Sequence, residues 1–336
     1  MRTQVCITID TEFSIGGAFA DPAGRRPVGE ENVTCPAGGR ENGLGFLIDT
    51  FAGHGIRATF FTEALQSAYF GDAPMGRMVE RLLTAGQDVQ LHIHPCWLTF
   101  RDPQWAQKLD PRRSPDDRCD GRGEAEMQDM IEAGLAALQR IGARRPIAMR
   151  TGNLRADRTV YRAMKACGLP VASNIGRALW RPTDEALRLA GGRRRIEGVL
   201  EVPVLTYTQL GWGSRRLERL LTTTATSWGE TEGLLRQARR AGVPTVVLLT
   251  HPFEFIKGDR LDPARCKPNR INQRRLERMC EFIASHPDEF EAVSFADAAP
   301  GWLAAADVPE PALRAPLLPV LARMAENKAN DVVWAL

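Results

Sequence analysis

The sequence predicts an α/β protein, a parallel sheet of about eight strands with helices packed outside it. Three observations predict it. Six helix-like stretches end in Gly and run within a few residues into a β-branched or apolar segment. The connections that leave the strand-like segments are long, whereas those that enter them are short. The polar residues best suited to chemistry stand at the ends of the strands, on the side of the long connections.

The elements follow in order. Gln4–Asp10 is the first strand. The Gly-terminated turns are Gly55 before Arg57–Thr62, Gly86 before Asp88–His94, Gly142 before Ile147–Arg150, Gly168 before Val171–Ser173, Gly192 before Val199–Val204, and Gly242 before Thr245–Thr250. Gly just past a helix C-terminus is the usual left-handed cap, so each marks a short helix-to-strand turn. Glu291–Phe295 is the last strand. Helical candidates are Asn42–Gly53, Gly76–Ala85, Glu124–Arg140, Ala156–Cys167, Arg215–Ala241 with a break near Gly229, and Arg270–Ser285. Leu217, Leu220 and Leu221 have helical spacing, which core packing explains. Residues 300–336 read as a Pro-rich tail, with a short helix at Val320–Lys328 that packs on the sheet domain or on a partner subunit; no second folded domain is expected.

Composition narrows the function. The chain has 336 residues, 43% apolar and 25% charged, an ordinary balance for a globular enzyme. Its 44 basic and 41 acidic residues leave a net charge of +3, too balanced to imply a nucleic-acid partner. Arg193–Arg195, beside Gly191 and Gly192, is expected to be a solvated turn. Seven cysteines, odd in number and without a C-x-x-C pair, argue against a disulfide framework and fit a reducing compartment. The first strand begins almost at Met1, without a basic segment followed by an apolar one, and no apolar stretch approaches bilayer length. A cytoplasmic protein without a transmembrane segment is therefore expected.

The long connections run from Ser14 to about Arg40, from Cys96 to Gly123, and from His251 to about Asn269. In parallel barrels the loops after the strands build the active site, and long irregular loops in compact domains are usually functional. Asp10, Glu12, His92, His94, Arg150 and His251 all end strands on that side. In Leu91-His92-Ile93-His94-Pro95, alternate positions share one strand face, so both imidazoles project together. Asp10 and Glu12 have the same spacing. Two imidazoles with carboxylates at strand ends match an open metal site for hydrolysis. The alternative is a hydrated cleft whose histidines bind no metal. Arg150 could likewise be a structural partner of Glu201, and His251, before Pro252, a hydrogen-bonded loop residue. Trp97, Trp105 and Trp212 could stack on sugar faces or anchor loops. His54 and His286 sit in helix-to-strand connections and receive no role.

Six segments, in order over residues 4–297, resemble the polysaccharide deacetylases of the NodB-homology type, carbohydrate esterase family 4. They are Ile7-Thr8-Ile9-Asp10, Ala58-Thr59-Phe60-Phe61, the run from Gly86 to His92, Arg150-Thr151-Gly152-Asn153, Glu201-Val202-Pro203, and Leu248-Leu249-Thr250-His251. The resemblance implies a distorted (β/α)7–8 barrel over residues 1–299 and a metal-dependent hydrolase that removes an N-acyl, expected acetyl, group from an N-acetylated sugar. It implies one divalent ion, zinc foremost with Co2+, Ni2+ or Mn2+ as alternatives, held by Glu12, His92 and His94. Asp10 would be the general base and His251 the general acid, with Arg150 orienting Asp10 or Glu201. Glu201 belongs to the catalytic set, and Trp97, Asn153 and Trp212 to substrate binding.

Two departures mark a divergent branch. The position where relatives carry a second, metal-binding Asp is Thr11 here, which makes Glu12 the natural substitute, with Asp10 itself as the alternative ligand. One residue separates the two histidines, where the family usually has three. With a cytoplasmic location, a sugar-nucleotide or lipid-linked glycan precursor fits better than mature cell wall. A neighbouring reading is a deformylase or amidohydrolase acting on a non-sugar amide. A reading from another class is a catalytically inactive relative that binds glycan.

Overall fold

The predicted alternation forms a curled, mostly parallel sheet. The computed structural model describes all residues except 1, 111–112, 211–215, 259–264 and 336. Apart from two short hairpins, Pro36–Ala37 with Arg40–Glu41 and Ile256–Lys257 with Lys267–Pro268, the strands are β1 (Thr3–Thr11), β2 (Thr59–Glu63), β3 (Asp88–Ile93), β4 (Ala148–Thr151), β5 (Val171–Ala172), β6 (Arg194–Ile196), β7 (Val199–Glu201), β8 (Thr206–Leu210), β9 (Arg216–Leu220), β10 (Thr245–Thr250) and β11 (Phe290–Ala292). Nine of them form one sheet in the order β10-β1-β2-β3-β4-β5-β7-β6, with β11 against the start of β1. Only β6 and β7 pair antiparallel in it; β8 and β9 form a separate hairpin.

The sheet curls into a distorted barrel that no continuous ladder closes. Beyond β7 the chain crosses the opening, with Val204 N–H donating to the Ile175 carbonyl at 3.0 Å and Leu205 N–H to the Val247 carbonyl at 3.0 Å. Leu249 N–H then donates to Leu221 at 3.1 Å. These single bonds tie β10 to the far side of the sheet.

The helices are α1 (Leu44–Gly53), α2 (Ala73–Thr84), α3 (Glu124–Arg140), α4 (Arg158–Ala166), α5 (Trp228–Arg240), α6 (Arg270–Ser285), α7 (Phe295–Ala304) and α8 (Leu317–Ala335). Their apolar faces cover the outer face of the strands, where Val5, Ile7 and Ile9 of β1 join Leu82, Leu138 and Leu276 in one large core. The inner face carries a second core. Cys6, Phe61, Ala148, Val171, Leu200, Val247 and Leu249 meet Phe295 and Trp302 of α7 there. Alternation on each strand thus puts apolar side chains at the start of the inner face and polar ones at its end.

Three expectations change. The stretch 215–241 is not one interrupted helix: Arg216–Leu220 is the strand β9, and the helix starts at Trp228 behind a Ser227–Glu230 capping box. Leu217 is accordingly half exposed rather than in the core; three leucines cannot distinguish a helical stripe from one strand of a hairpin. The Arg193–Arg195 turn is the start of β6, where buried Arg193 donates to the Thr245 hydroxyl at 2.7 Å and lies over the Trp302 ring. The C-terminal helix spans Leu317–Ala335 and is longer than its predicted core.

This last helix packs against α5. Arg323, almost wholly buried, donates to the buried Glu230 carboxylate at 2.9 Å and to Gln209 at 2.9 Å. Among the described residues no helix is long and apolar enough to cross a membrane. Removing one partner of a buried ion pair strands the other charge and costs about 3–5 kcal/mol. Arg323→Ala should therefore lower the unfolding free energy by about that amount in urea titration; an unchanged midpoint would show that the pair does not anchor the tail.

Candidate active site

The ends of five neighbouring strands converge on one polar cluster. The register sets Asp10 opposite Phe61 on β2, Glu63 opposite His92, and His92 opposite Arg150 on β4. Strand alternation points Cys6, Thr8 and Asp10 along one face of β1, and Val247, Leu249 and His251 along one face of β10 and its continuation. The apolar inner core lies beneath, so the charged groups are stacked on a dry floor.

Arg150, fully buried, stands at the centre. Its Nη1 donates to Asp10 Oδ1 at 2.7 Å and to Thr8 Oγ1 at 2.9 Å. Nη2 donates to Ser173 Oγ at 2.8 Å and Nε to the Ser173 carbonyl at 3.2 Å. Its guanidinium carbon lies 4.2 Å from the Phe61 ring centroid. Of the two expected partners it takes Asp10, not Glu201. Glu201 accepts instead from Tyr161 Oη at 2.9 Å and from the N–H groups of Asn174 and Ile175 at 3.0 and 3.1 Å. Burial dominates its environment and pushes its pKa up to about 7. Glu201 therefore supports the loop after β5, and its expected place among the catalytic groups is not where its oxygens point.

The histidines are oriented by partners that fix which nitrogen is free. His92 Nδ1 lies 2.9 Å from the Arg150 carbonyl; a carbonyl only accepts, so Nδ1 carries a proton and Nε2 is the nitrogen turned to the centre. Nε2 lies 3.4 Å from Glu12 Oε2 and 4.0 Å from Asp10 Oδ2. His94 Nδ1 lies 2.7 Å from Asp117 Oδ2, and its Nε2 2.9 Å from Glu12 Oε2. One ligand atom from each of Glu12, His92 and His94 falls within 4.8 Å of the others. Imidazole nitrogens aimed at a carboxylate, each with its other nitrogen hydrogen-bonded, can form the donor set of an open metal site once a cation displaces the protons they share with that carboxylate. Burial tends to raise Glu12, but the charge of His94 and the bonds to both rings outweigh it and hold the carboxyl well below its usual range. Burial tends to lower His94, yet Glu12 and Asp117 hold it well above the ordinary imidazole value. The same field favours a cation among these groups. Thr11 lies on the opposite strand face, fully buried, and its hydroxyl has no hydrogen-bond partner among the described residues.

His251 faces the cluster from β10. Its Nε2 is 3.9 Å from Asp10 Oδ2, and its Nδ1 is 3.1 Å from Glu254 Oε1. Glu254 Oε2 accepts from Thr250 at 2.6 Å and from Thr223 at 2.8 Å, so the carboxylate is fixed at both oxygens. Burial pulls His251 down, but the hydrogen bond and charge of Glu254, with Asp10, prevail and raise it to about 9.

Sequence reasoning missed Asp117, Glu254 and Glu63. Glu254 had a local signal, an acid three residues after His251. Asp117 had none, since it lies mid-loop among other acids. Glu63 ends β2 fully buried, accepting from Leu65 N–H at 2.7 Å, and burial pushes it well above the carboxylate range. The substrate-binding assignments also change. Trp97 is 2% exposed and packs with Phe70 and Phe100, so it anchors the loop after β3 rather than offering a free face. Trp105 packs on Phe19 and Phe100 in the same aromatic group. Asn153 donates to Asp117 Oδ2 at 3.1 Å, and so braces the His94 partner. Trp212 lies outside the described residues.

Gly152 is required by this arrangement. A Cβ there would stand 2.5 Å from Nδ1 and Cε1 of His94, a distance that forces the ring away from Asp117. If the cluster of Glu12, His92 and His94 takes zinc, Gly152→Ala should weaken its binding at least about tenfold, the lower end of what disturbed histidine support costs. Competition with a chromophoric chelator measures it, and unchanged affinity would contradict the described seat of His94.

No protein-family model matches the chain, and no curated protein is similar to it in sequence. Solved structures are similar in fold. A Mycobacterium smegmatis protein classed as a polysaccharide deacetylase aligns over 94% of this chain and 95% of its own, with 13% identity and a TM-score of 0.57. A family 4 carbohydrate esterase from Streptomyces lividans aligns over 86% and 91%, with 13% identity and a TM-score of 0.41. A pseudoenzyme of carbohydrate esterase family 4 from Bacillus anthracis aligns over 88% and 65%, with 10% identity and a TM-score of 0.43. The curled parallel sheet of this chain is thus the distorted (β/α)7–8 barrel fold of the polysaccharide deacetylases.

Proposed function

We propose that this protein is a metal-dependent hydrolase that removes an N-acetyl group from an N-acetylated sugar or glycan precursor. The observation that supports it most is the donor set Glu12, His92 and His94, each imidazole turned by its Nδ1 partner, beside the facing pair Asp10 and His251. Glu12, His92 and His94 would hold one divalent cation, zinc foremost. When bound, the ion supplies Lewis-acid polarisation of the acyl carbonyl and of an attacking water.

The chain's own residues divide the proton work. Arg150 fixes Asp10 Oδ1, which leaves Oδ2 as the acceptor of the water proton. His251 stands across from that oxygen with its Nε2–H free to protonate the departing amine. Glu254, held by two threonines, keeps the ring both oriented and charged. The acid and the base therefore stand side by side, 3.9 Å apart, where both could reach a scissile C–N bond lying beside them. Phe253 stacks on the His251 ring with centroids 4.8 Å apart, which limits its rotation.

Asp10→Asn keeps the Arg150 contact geometry but removes the base. It should lower kcat by about 10²–10⁴-fold while zinc stoichiometry, read by mass spectrometry of metals, stays unchanged; retained turnover would remove Asp10 as base. Acetate rather than formate should be the released acid; formate release from a simple amide would favour an amidohydrolase acting on non-sugar substrates. A protein that binds zinc but turns over no acylated sugar or amide would be an inactive relative.

The pH dependence follows from His251. A general acid must be protonated, and a ring raised to about 9 stays protonated through neutrality and loses its proton only above that value. The alkaline limb of kcat should therefore fall near pH 9. Glu254→Gln removes the charge that raises the ring, so the limb should move to lower pH. A limb that does not move would assign the alkaline loss to another group.

A further inference from the structure

The groups that hold His251 lead, contact by contact, to the C-terminal helix. Glu254, the partner of His251 Nδ1, is itself supported at two places. Its Oε2 accepts from the hydroxyls of Thr250 and Thr223 at 2.6 and 2.8 Å. Its backbone carbonyl accepts from the side-chain amides of Asn272 at 2.8 Å and Asn269 at 3.2 Å. Two segments therefore place the carboxylate beyond its own strand: the stretch after β9, which carries Thr223, and the first turn of α6, which carries Asn272.

One residue grips both segments. Arg275 lies one turn beyond Asn272 on α6 and is almost wholly buried. Its Nη1 donates to the carbonyls of Thr223 and Thr224 at 3.1 and 3.3 Å and to Asn272 Oδ1 at 3.4 Å. Thr223 and Asn272 are the same residues whose side chains hold Glu254, one at its carboxylate and the other at its carbonyl.

A buried guanidinium needs a charge partner, and this one comes from the tail. Nη2 donates to Glu326 Oε2 at 3.0 Å and to Asn327 Oδ1 at 2.9 Å, both on α8. Glu326 is the one carboxylate paired with Arg275 among the described residues. Burying an unpaired guanidinium is costly. Without these two acceptors its head is drawn toward water, and its grip on Thr223 and Asn272 slackens. Arg323, which anchors the tail on Glu230, lies three and four residues before Glu326 and Asn327. That spacing puts all three on one helix face, so the contact that anchors the tail also aims the clamp.

We propose that Arg275 is a positioning residue for the general acid, and that the C-terminal helix holds it in place through Glu326 and Asn327. The inference rests on reading His251 as the acid of a hydrolase, and it joins the tail to the site.

The test reads the His251–Glu254 bond directly, in the full chain reconstituted with zinc. A ring Nδ1–H held on a carboxylate is a charge-assisted bond, and its proton resonates far downfield of the amides. His251 on Glu254 and His94 on Asp117 should each give such a resonance, assigned by its loss in His251→Gln and in Asp117→Asn. The variants are Arg275→Met and the double variant Glu326→Ala/Asn327→Ala, with melting curves to verify folding. In both, the His251 resonance should broaden or vanish while that of His94 stays. Glu326→Gln keeps an acceptor for Nη2 and should keep the His251 resonance. An unchanged His251 resonance in either folded variant, or equal loss of both resonances, overturns the proposal. In turnover, kcat should fall about tenfold in both variants at unchanged KM, a share of the roughly 10²–10⁴-fold that general acid–base catalysis supplies; a change confined to KM overturns it. If wild type hydrolyses no acylated sugar or amide, the deacetylase reading fails, and the resonances still decide the proposal.

Discussion

The site depends on one buried cation. Arg150 sits inside a barrel whose floor is apolar, and an isolated guanidinium there would be prohibitively costly to desolvate. Its cost is offset because its contacts leave no direction unused: Asp10 and Thr8 on β1, both oxygens of Ser173 beyond β5, and the face of Phe61 on β2. Those partners come from strands on both sides of β4. The guanidinium therefore sets the relative positions of the strand ends as well as the orientation of Asp10. A bidentate grip would have taken both Asp10 oxygens. Sharing Nη1 between Thr8 and a single Asp10 oxygen leaves the other oxygen facing His92 and His251.

A common rule governs the three histidines. Each has Nδ1 committed to an acceptor and Nε2 turned to the centre, with the acceptor supplied by a different part of the chain. His92 uses the backbone of the adjacent strand, His94 an acid from the long loop after β3, and His251 an acid one short turn further on. The close spacing of His92 and His94 explains the loop's involvement. Neighbouring rings 4.9 Å apart on one strand face cannot both find a backbone acceptor on β4, because His94 lies beyond the last ladder pair, Ile93 with Thr151. Asp117 takes that role, and Asn153 and Gly152 secure it.

The legible part of this arrangement is whatever local periodicity encodes. Asp10, Glu12, His92, His94, Arg150 and His251 end strands whose alternation is plain in the sequence, and the sheet that joins those strands follows from Gly-capped turns. The partners that orient them are less legible. Asp117 is one acid among several in a loop without periodicity, and its choice is made by where the aromatic group of Phe19, Trp97, Phe100 and Trp105 pins that loop. The same packing explains why Trp97 reads as a sugar platform in sequence and is a core residue in space. Glu201 misleads for a related reason: an acid at a strand end signals chemistry, but burial on the Tyr161 side gives it a structural duty.

The loop after β3 therefore couples two tasks. Through Asp117 it sets the ring of His94, and three residues later, through Asp120, it holds Arg155, whose guanidinium lies over the Trp180 ring. Between them the chain bonds to the Asn153–Arg155 segment at both points, so neither contact can shift without straining the other.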